Sequence, residues 1–124
     1  RLCNENLLVI KALFIDGNPS LKDAKNYPAS AFLVECGQGK LPGGNALEWN
    51  WDQAKSFGDI HPLIIAGGLS PENVSHAIKV SSPHAVDVSS GVESSPGEKD
   101  IGKVATFLDT ILRCGFNKKA KKIF

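Results

Sequence analysis

Apolar positions in this chain fall into short solid runs separated by turn residues, and each run is followed by a segment with helical spacing. Leu7 to Ile15 is apolar except for Lys11 and predicts a buried strand. Asp16-Gly17-Asn18-Pro19-Ser20 is dense turn chemistry, and Ser20 is placed to cap a short helix through Lys25 that Tyr27-Pro28 ends. Ala31 to Cys36 predicts a second strand, Leu63 to Ala66 a third, and Ala85 to Val88 a fourth that carries Asp87. Between them, Asn50 can cap a helix from Trp51 to Phe57. Ser70 can cap another from Pro71 to Val80, whose face holds Val74, Ala77 and Ile78. Ser81-Ser82-Pro83 breaks that helix, and Ser94-Ser95-Pro96-Gly97 forms a turn. Asp100 caps the clearest helix, where Ile101, Val104, Ala105, Leu108, Ile111 and Leu112 recur at three- and four-residue spacing up to Gly115.

Four strands, each followed by a helix, imply an α/β fold with a parallel sheet and right-handed crossovers. A complete (βα)8 barrel takes roughly 200 residues or more. At 124 residues this chain is expected to hold about four βα units of a TIM-barrel type fold, over residues 1–117. Residues 118–124 then form a basic tail.

Composition narrows the function classes. A hydrophobic content of 42% is ordinary for one globular core, and no apolar run approaches the roughly 20 residues a membrane helix needs. The start, Arg1-Leu2-Cys3-Asn4, does not read as a signal peptide, so the expected location is cytoplasmic. Cys3, Cys36 and Cys114 are far apart and odd in number, which points to reduced thiols and away from a zinc site or a disulfide framework. The net charge of +1 includes Lys118, Lys119, Lys121 and Lys122; without those four the rest carries −3. A nucleic-acid role would rest on that tail alone and is not expected.

Candidate chemistry gathers after the strands. Gly67 and Gly68 follow the third strand at once, removing Cβ atoms where the backbone turns and letting N–H groups approach a ligand. Such a turn also occurs for steric reasons alone. A second strand end of similar kind, Ser89-Ser90-Gly91 after Asp87, fits the phosphate site that the last two loops of a (βα)8 barrel build. Glu35 ends an otherwise apolar strand, and a carboxylate there needs a partner or a task. Cys36 faces the other way by strand alternation. Lys11 could point into a barrel or snorkel out of it. The glycine-rich stretch from Gly37 to Asn45 is long for a βα connection and is a candidate active-site loop. Trp49 and Trp51 read as packing residues, and His61, His76 and His84 as surface or turn residues with no metal-ligand spacing.

Two segments carry a family resemblance: Ala66-Gly67-Gly68-Leu69-Ser70-Pro71-Glu72-Asn73-Val74, and the run from Val86 through Ser89-Ser90-Gly91-Val92-Glu93 to Asp100. They resemble the last two βα units of phosphoribosylanthranilate isomerases. Val9-Ile10-Lys11-Ala12 is similar to that family's fifth strand. Phe32-Leu33-Val34-Glu35, with Gly43-Gly44 and Trp51 after it, is similar to its sixth. The resemblance covers about Leu7 to Cys114.

It implies an Amadori rearrangement of N-(5-phosphoribosyl)anthranilate to the 1-amino-1-deoxyribulose 5-phosphate in tryptophan biosynthesis, with no cofactor. Glu35 aligns with the family's general acid, where an aspartate is usual. Gly67, Gly68, Ser89, Ser90 and Gly91 would hold the substrate phosphate, and Asp87 would lie near the anthranilate and its amino group. The family's cysteine base belongs to a first strand that nothing here matches. After Gly43-Gly44 the run Asn45-Ala46-Leu47-Glu48-Trp49-Asn50 departs from the family's usual pattern, in which an aspartate precedes the tryptophan. The implied partners are the small phosphorylated sugar-anthranilate substrate and the N-terminal half of the barrel, or a second copy of the chain. The alternatives are a non-catalytic phosphate-binding half-barrel that self-associates and another phosphate-binding barrel enzyme.

Overall fold

The computed structural model describes residues 7–37 and 48–115. Cys3, the stretch from Gln38 to Leu47 with its Gly43-Gly44, and the tail Lys118 to Phe124 lie outside the described residues.

Four strands form one parallel sheet in the order β1 (Ile10–Phe14), β2 (Ala31–Glu35), β3 (Leu63–Ile65), β4 (Ala85–Val86). The strands are shorter than the apolar runs suggest. Ladder bonds nevertheless continue past their carboxyl ends, from Ile15 N–H to Glu35 O, Ala66 N–H to Val34 O and Asp87 N–H to Ile65 O.

Register and alternation sort the side chains into two faces. Leu13, Val34 and Ile65 lie in one row, Phe32 and Leu63 in the next, and all five are buried in the core beneath the helices. Lys11 shares their parity, and its ammonium sits 4.6 Å from the centre of the Tyr27 ring, so it leaves the sheet on the helix side rather than entering a barrel. The opposite face carries Ile10, Ala12, Leu33, Ile64 and Ala85. Ile10 on that face is 43% exposed. By the same parity, Glu35 and Asp87 stand at the carboxyl end of this second face.

The connections differ in kind. Leu21–Asn26 after β1 is a 3-10 helix, begun by Ser20 N–H donating to the Asp23 carboxylate at 2.8 Å. The segment expected as a helix over 51–57 is a 3-10 turn, Trp51–Ala54, running into α1 (Lys55–Gly58). Next, α2 is Val74–Ser81, three residues later than expected, because Pro71 to Asn73 form a turn. After β4 comes a 3-10 turn, Ser90–Val92, and the expected turn around Pro96 is the tip of a small hairpin, β5 (Glu93–Ser95) with β6 (Glu98–Lys99). Asp100 caps α3 (Ile101–Arg113) by accepting Lys103 N–H at 3.0 Å, as expected.

The apolar stripe of α3 divides. Phe107 is buried, with Val104 and Ile111 packed beside it against the core. Ile101, Leu108 and Leu112 are 80%, 55% and 83% exposed. That helix is apolar over more of its circumference than its described neighbours cover. Among the described residues, no helix is long and apolar enough to cross a membrane.

Candidate active site

Glu35, Gly67, Gly68, Asp87, Ser89, Ser90 and Gly91 all line one solvent-open cavity of roughly 390 Å3 at the carboxyl ends of β2, β3 and β4. Two loops build it, and each is fixed by an identifiable device.

The β3 loop turns through Gly67 and Gly68, at φ +85° and +73°. A Cβ on Gly67 would also stand 3.3 Å from both Glu35 Cβ and Trp49 Nε1. The missing side chain lets these two residues flank the turn. Trp49 donates its indole N–H to Ala66 O at 2.9 Å, so it does more than pack. Trp51 is the core tryptophan.

Asn73 holds the other end of the turn. Its Nδ2 donates to Gly68 O at 2.7 Å and to Glu48 Oε1 at 2.8 Å, while its Oδ1 accepts Ser70 N–H at 2.8 Å. Ser70 O in turn accepts Val74 N–H at 3.0 Å, the first bond of a helical turn. Ser70 therefore supplies its backbone to the cap, and the Asn73 side chain replaces the expected serine hydroxyl. The three-residue separation of Ser70 and Asn73 is capping-box spacing, with asparagine in place of the usual glutamate.

The β4 loop meets the β3 loop backbone to backbone. A Cβ on Gly91 would lie 1.7 Å from Leu69 O and 2.8 Å from Leu69 C, which no rearrangement of side chains relieves. Gly91 is thus required for the two loops to touch. Behind it, Val92 is buried in the core, and the hairpin tucks Lys99 against Ser89.

Two carboxyls share the cavity. Glu35 is pushed above the ordinary carboxylate range, by burial first and then by the like charge of Asp87. Asp87 is also raised by burial, and Lys99 draws it partly back. Burial is the weaker statement for Asp87, because that residue stays exposed on the open side. A carboxylic acid whose proton is held above its normal range, beside amide- and hydroxyl-rich loops, suits proton donation to an oxygen of an anionic ligand. Cys36 does not line this cavity and stands 4.0 Å from an Asp16 carboxylate oxygen, consistent with its facing away from Glu35. Among the described residues, no group of three or more His, Cys, Asp or Glu side chains could hold a metal ion.

Other residues of this region were legible only weakly in the sequence. Asn73 carried the capping-box spacing, Lys99 stood inside the quoted motif without a role, and Trp49 offered no signal for its hydrogen bond. Of the histidines, His84 Nδ1 accepts Leu63 N–H at 3.0 Å, and His61 packs on Phe57 with ring centres 4.5 Å apart. These two are tied into the fold rather than merely surface residues.

Residues 1–110 match the family described as N-(5'-phosphoribosyl)anthranilate isomerase. A protein of that name from Desulfatibacillum aliphaticivorans is 48% identical over 124 residues, covering all of this chain and 57% of its own length. Another from Geobacter sulfurreducens is 46% identical over 103 residues, covering 81% and 49%. The crystal structure of phosphoribosyl anthranilate isomerase from Thermotoga maritima superposes with a TM-score of 0.72 at 37% identity, covering 86% of this chain and 52% of that one. A phosphoribosyl anthranilate isomerase solved in complex with reduced 1-(o-carboxyphenylamino)-1-deoxyribulose 5-phosphate superposes at 0.67 and 36% identity, covering 86% and 49%. The chain spans about half the length of the relatives it matches.

Proposed function

Since the chain belongs to the N-(5'-phosphoribosyl)anthranilate isomerase family, we propose that its cavity is the phosphate- and acid-bearing part of that family's active site. The observation that carries the reading is the convergence of Glu35, Asp87 and the two glycine- and serine-bearing loops on one cavity. In this reading the substrate phosphate lies against Gly67, Gly68, Ser89, Ser90 and Gly91, and Asp87 faces the anthranilate amino group.

The chemistry is an internal redox exchange in which C2 of the sugar is oxidised and C1 reduced within one molecule, so no cofactor is required. Glu35 gives its proton to the ribose ring oxygen as the ring C1–O bond breaks, and the nitrogen lone pair forms the iminium. A base then takes the C2 proton, and the electron pair moves to give the enolamine, which tautomerises to the ketone. The raised proton affinity of Glu35 suits the first step. Glu35 has one more methylene than the family's usual aspartate, and the turn at Gly67 leaves room beside its Cβ.

The base comes from outside the cavity residues, whose titratable members are Glu35 and Asp87. We place it on the N-terminal four βα units that complete a (βα)8 barrel around residues 1–117. The exposed Ile10, Ile101, Leu108 and Leu112 and the unshared outer edges of β1 and β4 are the surfaces such a half would cover. A second copy of the chain is the other occupant that would fit them. The reaction belongs to tryptophan biosynthesis and, in this reading, to the cytoplasm.

Adding the N-terminal four units of a relative in trans tests the whole reading. Turnover of N-(5-phosphoribosyl)anthranilate by the folded complex, abolished by Glu35→Gln, supports it. A folded complex that binds phosphate without turnover would favour the non-catalytic half-barrel instead.

A further inference from the structure

Lys99 stands outside the roles assigned above, yet every donor of its ammonium is engaged next to the cavity. Its Nζ donates to Ser89 O at 3.0 Å, to Glu93 Oε1 at 3.0 Å and, over a longer 3.4 Å, to Ser89 Oγ. The hairpin delivers it there. Lys99 ends β6, Glu93 begins β5, and the two residues pair across the ribbon. Glu93 is itself fixed by accepting Gly97 N–H from the hairpin tip. The ion pair sits on a side chain that is only 10% exposed at the glutamate end, so the lysine is held rather than waving in solvent.

An ammonium has three donors and no acceptor. Whatever hydroxyl it meets must therefore accept. When Ser89 Oγ accepts from Lys99, its own hydrogen turns away from the lysine, and hydrogen bonds in series polarise one another in the same direction. Ser89 lines the cavity. We propose that Lys99 is a positioning residue that orients the Ser89 hydroxyl as a hydrogen-bond donor to the phosphate of the ligand. The inference rests on the phosphate site proposed above and adds to it a lysine that works without touching phosphate, since its own donors are already used. The cationic charge near Asp87 supports the same arrangement, because Lys99 draws that carboxyl back towards its ionised form.

A double-mutant cycle in the full-length protein tests the inference, with inorganic phosphate as probe and the Kd read from amide chemical shifts. Lys99→Met is expected to raise the Kd about three- to tenfold, the size of one hydrogen bond. In a Ser89→Ala background the same change should have an effect of less than about twofold. Lys99→Arg, which keeps charged donors within reach, should restore affinity to within about twofold of the unsubstituted protein. An undiminished effect of Lys99→Met in the Ser89→Ala background would overturn the inference, since the lysine would then act through bulk charge. Ser89→Ala weakening phosphate while Lys99→Met does not would overturn it too, and leave the phosphate site standing. If Ser89→Ala leaves phosphate binding unchanged, the phosphate site itself is refuted and the inference falls with it. Should Lys99→Met not fold, Lys99→Gln takes its place in the same cycle.

Discussion

Gly91 and Leu69 are in backbone contact: the position of a Cβ on Gly91 falls 1.7 Å from the Leu69 carbonyl oxygen. Gly91→Ala must therefore part the two loops that form the cavity. The expected cost is at least about 2 kcal/mol of stability, with phosphate affinity falling roughly tenfold or more. Gly97→Asn is the control. That glycine also has a positive φ, but nothing lies within 4 Å of its Cβ position, and asparagine tolerates the conformation. Denaturant midpoints and phosphate titration of the two variants should differ sharply.

Glu35→Gln should lower turnover by about 10²- to 10⁴-fold while leaving phosphate affinity nearly intact, because it removes a proton donor and keeps the side-chain shape. The same substitution should raise stability at neutral pH. Folding raises the proton affinity of Glu35, so the folded state binds more protons than the unfolded state from near the ordinary value of 4.5 up to the higher folded value. Stability therefore drops as pH rises through that window and stays lower above it. Urea melts at pH 7 should place the variant above the parent, and melts near pH 3 should superpose; the opposite order at pH 7 would show that burial does not disfavour the Glu35 charge.

Asp87→Asn removes the like charge but not the burial that acts on Glu35. The alkaline limb of kcat/KM, where the general acid loses its proton, should move to lower pH and remain above the ordinary glutamate value. A limb that does not move would mean that Asp87 and Glu35 do not sense each other across the cavity.

Asn73→Ala deletes three hydrogen bonds at once, to Gly68 O, Glu48 and Ser70 N–H. We expect a loss of about 1–3 kcal/mol. Protection of the amides of Leu69 and Ser70 against hydrogen exchange should fall more than that of Leu63 to Ile65. Asn73→Asp, which keeps the acceptor for Ser70 N–H and sets a charge beside Glu48, should be at least as damaging. Equal loss of protection in loop and strand would mean that Asn73 serves overall stability rather than the turn.

Strand order, the shared face of Glu35 and Asp87 and the grouping of the two loops all follow from one-dimensional signals. Solid apolar runs mark covered parallel strands, and a period of two puts a residue on a known face once the register is known. What escaped was whatever depends on contact between distant segments. Gly91 looks like a flexible loop residue until the Leu69 backbone stands against it. Phe107 sits between the more regularly spaced residues of α3, yet it is the one that reaches the core, because the sheet approaches that helix from one side only. Helix starts were misplaced where side chains rewired the turn, as Asn73 does before Val74. Lys99 acts across a hairpin whose two strands are too short to leave an alternation.

The order β1-β2-β3-β4 places every strand beside the one synthesised just before it. Each unit can then dock on its predecessor as it leaves the ribosome, without waiting for sequence still to be made. A mistranslated or truncated end would spoil only the last addition. By the same token the architecture tolerates being cut or circularly permuted between units, since neither piece loses a pairing other than the one at the cut.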